Sequence, residues 1–93
     1  MDPENVNPSK FKVEHVLFDN PYFAIAYGIW ENDSNRLAMR WNGTGENAGY
    51  PKAFGHPMWF IVDEQLYVPI LRSLIGYPNA DSTKILKVLE QII

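Results

Sequence analysis

The sequence predicts an α+β domain: a four-stranded antiparallel meander followed by two C-terminal helices packed on one face. Three observations predict it. Between Phe11 and Asn42 apolar residues recur mainly with period two, the spacing of a strand. After Asp63 they recur at helical spacing instead. Clusters of turn formers at 19–21, 32–35 and 76–78 separate the periodic stretches. The chain has 93 residues, 46% of them apolar and 20% charged, which is enough for one globular core and too little for two ordinary domains.

Each element has its own justification. Residues 1–10 hold two prolines and no periodicity, so they read as a flexible N-terminal arm before a single domain over 11–93. Phe11 to Phe18 alternates, with Phe11, Val13, His15 and Leu17 on one face of a strand. Asp19-Asn20-Pro21 is a turn. Tyr22 to Glu31 is apolar on both faces, which suits a central strand covered on two sides or by a partner chain. Gly28 within it marks a bulge or a close backbone approach. Asn32 to Asn35 makes a hairpin loop into the strand Arg36–Asn42, where Leu37, Met39 and Trp41 form the apolar face and Arg40 points the other way. Gly43 to Pro57 has four glycines, two prolines and no clean period, and a connection this long is uncommon unless it is functional or disordered. Met58 to Val62 is a short apolar strand.

Asp63 reads as an N-cap for a helix with the stripe Leu66, Ile70, Leu71, Leu74 and Ile75. Pro69 either kinks this helix or marks a start closer to itself, and Gly76 and Pro78 end it. Asp81 or Ser82 caps a last helix with the stripe Ile85, Leu86, Leu89, Ile92 and Ile93. An apolar end of this kind is expected to dock on the core or on a second subunit.

Composition excludes several functions. There are no cysteines, so a disulfide scaffold, a thiol nucleophile and a cysteine-based zinc site are out. The formal net charge is −3, which disfavours a strongly basic nucleic-acid protein. No secretory signal is visible in Met1–Lys10 and no apolar run is long enough for a bilayer, so a cytoplasmic protein without a membrane partner is expected. Gly43-Thr44-Gly45 followed by Gly49 lacks dinucleotide-fingerprint spacing, no P-loop or nucleophile elbow is present, and His15 and His56 have no metal-ligand spacing. No cofactor, no metal and no catalytic residue are therefore expected.

One surface stands out. Residues 36–59 carry Arg36, Arg40 and Lys52 against Glu46 alone, and form the one net-positive segment. Its aromatic and cationic residues could stack a planar or anionic ligand, and with Trp30 they make the candidate ligand-binding set: Trp30, Arg40, Trp41, Tyr50, Lys52, His56 and Trp59. A plainer reading stands beside several of them. Trp41 and Trp59 fit a core better than a platform, and His15 alternates with apolar residues as a satisfied core histidine does. Trp30 shares its face with Ala24, Ala26 and Gly28, small neighbours that leave room for a groove. His56 could titrate near neutral pH, although an ordinary loop histidine explains it more simply. Arg40 and Trp41 share a site only if a bulge intervenes.

The stretch Leu37 to Trp59 (LAMRWNG…GYPKAFGHPMW), leading into FIVDEQL, resembles small uncharacterised bacterial proteins of the kind carried in integron gene cassettes. The resemblance covers about half the chain and implies a bacterial cytosolic protein, with no activity or residue roles to carry over. The order of strands and helices also resembles the topology of single-stranded-DNA-binding coactivator and Whirly-type domains, from which this chain departs in its acidic balance. The expected function is a non-enzymatic homodimeric binding module taking a small-molecule or protein partner. The first alternative is single-stranded nucleic-acid binding through Tyr50, Trp41, Arg40 and Lys52. The second is a small enzyme using His56 with a carboxylate such as Glu46.

Overall fold

The computed structural model describes residues 2–93, and the alternating segments pair as a four-stranded antiparallel sheet in which Phe11–Asp19, Phe23–Trp30, Ser34–Trp41 and Phe60–Ile61 lie side by side in that order. Its strands are β1 (Phe11–Asp19), β2 (Phe23–Trp30), β3 (Ser34–Trp41) and β6 (Phe60–Ile61). Two further short strands, β4 (Lys52–Ala53) and β5 (His56–Pro57), form a separate hairpin inside the long glycine-bearing connection. Helices α1 (Tyr67–Leu74) and α2 (Ser82–Ile92) complete the α+β fold. Among the described residues no helix is long and apolar enough to cross a membrane.

The two faces of the sheet are covered by different devices. Ile25, Tyr27 and Leu37 join Leu17 on one face and meet Tyr67, Leu71 and Leu74 of α1 and Ile85, Val88 and Leu89 of α2. Ala24, Ala26 and Ala38 lie on the other face, under Val6, Phe11 and Trp59. Their small side chains leave the depth that the Phe11 and Trp59 rings fill, with ring centroids 5.7 Å apart. So the two-sided apolar character of β2 is satisfied within the chain. β2 also has β1 and β3 as neighbours on its two edges and offers no edge to a partner. The segment read as an arm lies against this second face. Pro3 and Val6 are buried, and the Trp59 indole Nε1 donates to the Val6 carbonyl at 2.7 Å.

Strand β1 departs from simple alternation. Its register against β2 shifts between Val13 and His15 and again between Val16 and Phe18. A bulge moves every later side chain to the opposite face. Phe11 and Val13 therefore belong to the Trp59 side, while Leu17 enters the core under the helices. The predicted single face of Phe11, Val13, His15 and Leu17 is thus split in two. His15 is half-buried instead of belonging to the core.

The expected close approach at Gly28 is present. A Cβ there would lie 2.1 Å from the Lys12 carbonyl oxygen. Pro69 resolves as a first-turn residue. A 3₁₀ turn over Glu64–Leu66, capped by the Asp63 carboxylate accepting from the Gln65 amide, leads into α1, which begins at Tyr67. In a first turn the missing proline donor costs nothing, so no kink is needed. Asp81 caps α2, its carboxylate accepting from the Lys84 amide at 3.1 Å. The buried stripe of α2 is Ile85, Val88 and Leu89; Leu86 is exposed and Ile92 half-buried. Helix α2 is rotated so that Val88 takes the inward position expected of Leu86.

Two outcomes follow. Gly28→Ala should destabilise the fold by about 1–3 kcal/mol in chemical denaturation, because backbone must move to admit the methyl group. Burial, aided by Tyr67 and Glu14 and opposed by Asn35, pushes the Tyr27 hydroxyl above its ordinary value. A raised folded-state pKa contributes stability that is complete below the unfolded value, near pH 10, and lost as pH rises through the folded one. Melting temperature should therefore fall above about pH 10. Tyr27→Phe should make that fall shallower.

Candidate functional site

The site is assembled from the ends of β2 and β3 and the loop that follows. The hairpin pairs Trp30 with Ser34, and counting outward from that pair sets Phe23 opposite Trp41. The Trp41 ring meets Phe23 edge-on, with centroids 4.7 Å apart. Trp41 lies on the same face as Leu37 and Met39, as its alternation requires. Phe23 packs on the helix-side core, but Trp41 beside it is 56% exposed where a core residue was expected.

Three anchors place the loop beside Trp41. Asn42 is fully buried, and its side-chain amide donates to the Asp19 carboxylate at 3.1 Å and to the Pro21 carbonyl at 3.2 Å. Its backbone amide donates to the Tyr22 carbonyl at 2.7 Å, which brings Tyr22 alongside. Trp41 and Tyr50 exchange backbone hydrogen bonds of 2.7 and 3.0 Å. Gly49, between them in space, has φ +75° and a Cβ position 2.1 Å from the Trp41 carbonyl oxygen, so only glycine fits. The Tyr50–Pro51 peptide that follows is cis.

Arg40 supplies the third anchor from the opposite face. Arg40 is 1% exposed, and its guanidinium donates to the Ala48 carbonyl inside the loop and the Met58 carbonyl just after it. It lies 5.9 Å from the Trp59 ring centroid, in cation–π range. Burial pulls its pKa below the usual arginine value, but the group stays charged.

The result is an open cleft of about 600 Å³ bordered by Tyr22, Trp41, Thr44, Asn47, Tyr50 and Lys52. Tyr22 and Tyr50 are each 67% exposed. Three aromatic rings thus surround one lysine, with side-chain amide and hydroxyl groups at the rim and no carboxylate lining the cleft. Rings of this kind can stack a flat partner while Lys52, Asn47 and Thr44 hydrogen-bond its edge.

Of the seven residues singled out by sequence, the structure brings together Trp41, Tyr50 and Lys52. Arg40 and Trp59 are buried on the other face and present no surface to a ligand; Arg40 bonds the Ala48 carbonyl of the loop, and Trp59 bonds the Val6 carbonyl. Trp30 is half-buried against the Trp59 cluster, so the groove its small neighbours suggested is filled by the chain itself. His56 is exposed and borders a separate cleft with Asn5, Asn7 and Phe54. No carboxylate lines that cleft among the described residues. No group of three or more metal-ligating His, Cys, Asp or Glu side chains occurs among them either. Tyr22, Thr44 and Asn47 were not singled out from sequence. The hairpin register could have found Tyr22, since pairing Phe23 with Trp41 sets Tyr22 at the same end of the sheet.

No family model matches the chain, and neither a curated protein nor a solved structure matches it.

Arg40→Lys should destabilise the protein by about 1–3 kcal/mol, because an ammonium cannot span both carbonyls and leaves one buried acceptor unpaired. Amide exchange at Trp41 and Tyr50 should accelerate in the same variant, since their mutual bonds depend on the loop that Arg40 anchors.

Proposed function

We propose that this chain is a non-enzymatic homodimeric binding module whose ligand site is the Tyr22–Trp41–Tyr50 cleft. The observation that carries the reading is the exposure of three aromatic rings around one pocket, on backbone held by buried anchors. Exposed rings of this size are unfavourable in water unless something covers them part of the time. The single cation and the amide and hydroxyl rim suit a ring-bearing ligand of low charge, a nucleoside or a sugar-sized molecule, better than a polyanion. The resemblance of Leu37–Trp59 to cassette-borne bacterial proteins supports a bacterial cytosolic setting.

Single-stranded nucleic acid is the second reading, favoured by Trp41, Tyr50 and Lys52 lining one cleft as base-stacking platforms do. It is weaker because Arg40 is buried and bonded to carbonyls, which leaves Lys52 as the one cation on the cleft to neutralise phosphates. A His56 enzyme has less support, for no carboxylate borders the histidine's cleft to orient it.

Tryptophan fluorescence during titration decides between the first two, using nucleosides, monosaccharides and a short single-stranded oligonucleotide at low and moderate salt. The expected outcome is a saturable change with an uncharged ligand, independent of salt and absent in Trp41→Ala. Saturation by the oligonucleotide alone, weakening steeply with salt and lost in Lys52→Ala, would favour nucleic acid instead.

A further inference from the structure

A second exposed apolar surface lies on the helix layer, away from the aromatic cleft. The end of α1 and the outer side of α2 enclose an open groove of about 570 Å³, lined by Arg72 and Ile75 on one side and Leu86, Leu89, Glu90 and Ile93 on the other. Leu89 is buried at its base, while Ile75 is 42% and Leu86 51% exposed. In α2, Leu86, Leu89, Glu90 and Ile93 recur at three- and four-residue spacing and form one stripe along the helix. That stripe shares only Leu89 with the core, while Ile85 and Val88 face fully inward.

The charges at this groove identify its occupant. Arg72 and Glu90 border the same apolar strip, one from each helix, and form no salt bridge with each other or with another described residue. In a two-fold contact the same patch meets itself, so residue i faces residue j and j faces i. A patch with one cation and one anion across an apolar strip is complementary to its own copy. A patch of a single sign would repel its copy, and a chain of net charge −3 would repel it further at long range.

Two other routes to self-association are closed. The outer edge of β1 is already bonded by the chain itself: Asn7 Oδ1 accepts from the Val13 amide at 2.8 Å, the Asn79 carbonyl from the Asp19 amide at 3.0 Å, and the Leu17 carbonyl from the Asp81 amide at 2.8 Å. An edge occupied in this way does not add a strand from another molecule. β2 is central, and both of its faces are covered.

We propose that the α1–α2 groove docks a second copy of this chain about a two-fold axis, with Leu86 and Ile75 of the two copies in apolar contact and Arg72 of each copy paired with Glu90 of the other. The inference rests on the homodimer reading above and gives it a surface. The aromatic cleft lies on the sheet and is not lined by any groove residue, so it stays open in this dimer.

The test is sedimentation of the full chain from micromolar to high micromolar concentration, with circular dichroism to verify folding of each variant. The wild type should dimerise. Leu86→Glu, at an exposed position, should be a folded monomer. Arg72→Glu and Glu90→Arg should each weaken the dimer at least about tenfold, and the double exchange Arg72→Glu/Glu90→Arg should bring it back close to wild type, since the pair is only reversed. A dimer that survives Leu86→Glu, or a double exchange no better than its parents, overturns this surface while the homodimer reading stands. A wild type that is monomeric at high micromolar concentration overturns both.

Discussion

A guanidinium almost without access to water, bonded to carbonyls within and just after a long loop and lying over an indole, is the contact on which the second face of the sheet depends. Arg40 has no carboxylate partner in a salt bridge, so its charge is compensated by carbonyl dipoles and the Trp59 ring. Removing such a group strands two buried acceptors, and replacing it with lysine loses the fork that spans them. Trp59 in turn holds Val6 through its indole N–H. One arginine therefore couples the 43–57 loop, Trp59 beside β6 and the N-terminal segment to the sheet face that carries Ala24, Ala26 and Ala38.

The same constraint explains the division of the sheet into two unlike faces. Helices need room for leucine- and tyrosine-sized side chains, and Ile25, Tyr27 and Leu37 supply the matching surface. On the other face the Trp59 ring and the β1 ring of Phe11 pack over small residues such as Ala24, Ala26, Ala38 and Gly28. β1 serves both layers because its bulges transfer it from one face to the other. The chain also occupies its own β1 edge with Asn7 and with residues 79–81, and so protects the strand at risk of unwanted pairing.

What remains uncovered falls in two places. Trp41 at the end of β3 stays exposed, and the turn at 19–22 and the loop at 42–52 set rings and amides beside it. The outer side of the helix layer carries the other patch, narrow and flanked by opposite charges. The first has backbone anchored from beneath and a polar rim, the features of a ligand pocket. The second has apolar bulk and self-complementary ends, the features of a contact between copies. The two readings assign the surfaces different work and do not compete for the same residues.

Much of the fold was legible because its signals are local. Period-two alternation, the turns at Asp19-Asn20-Pro21 and Asn32–Asn35, the Asp63 and Asp81 caps and the Gly76 stop depend on neighbours a few residues away, and the sheet-then-helices order follows from them. The candidate cleft was half legible: aromatic and cationic content drew notice to Trp41, Tyr50 and Lys52, and equally to Arg40, Trp59 and Trp30, which the fold turns inward. Composition alone cannot separate these groups. Whether a tryptophan is buried depends on which distant segments cover it: Trp41 stays 56% exposed, while Trp59 is buried with Val6 and Phe11. The sequence by itself determined the three long strands and two helices, their order and which residues share a strand face between bulges. Tertiary structure alone decided the bulges in β1, the cover over the alanine face and the rotation of α2, because these are set by contacts between segments far apart in the chain.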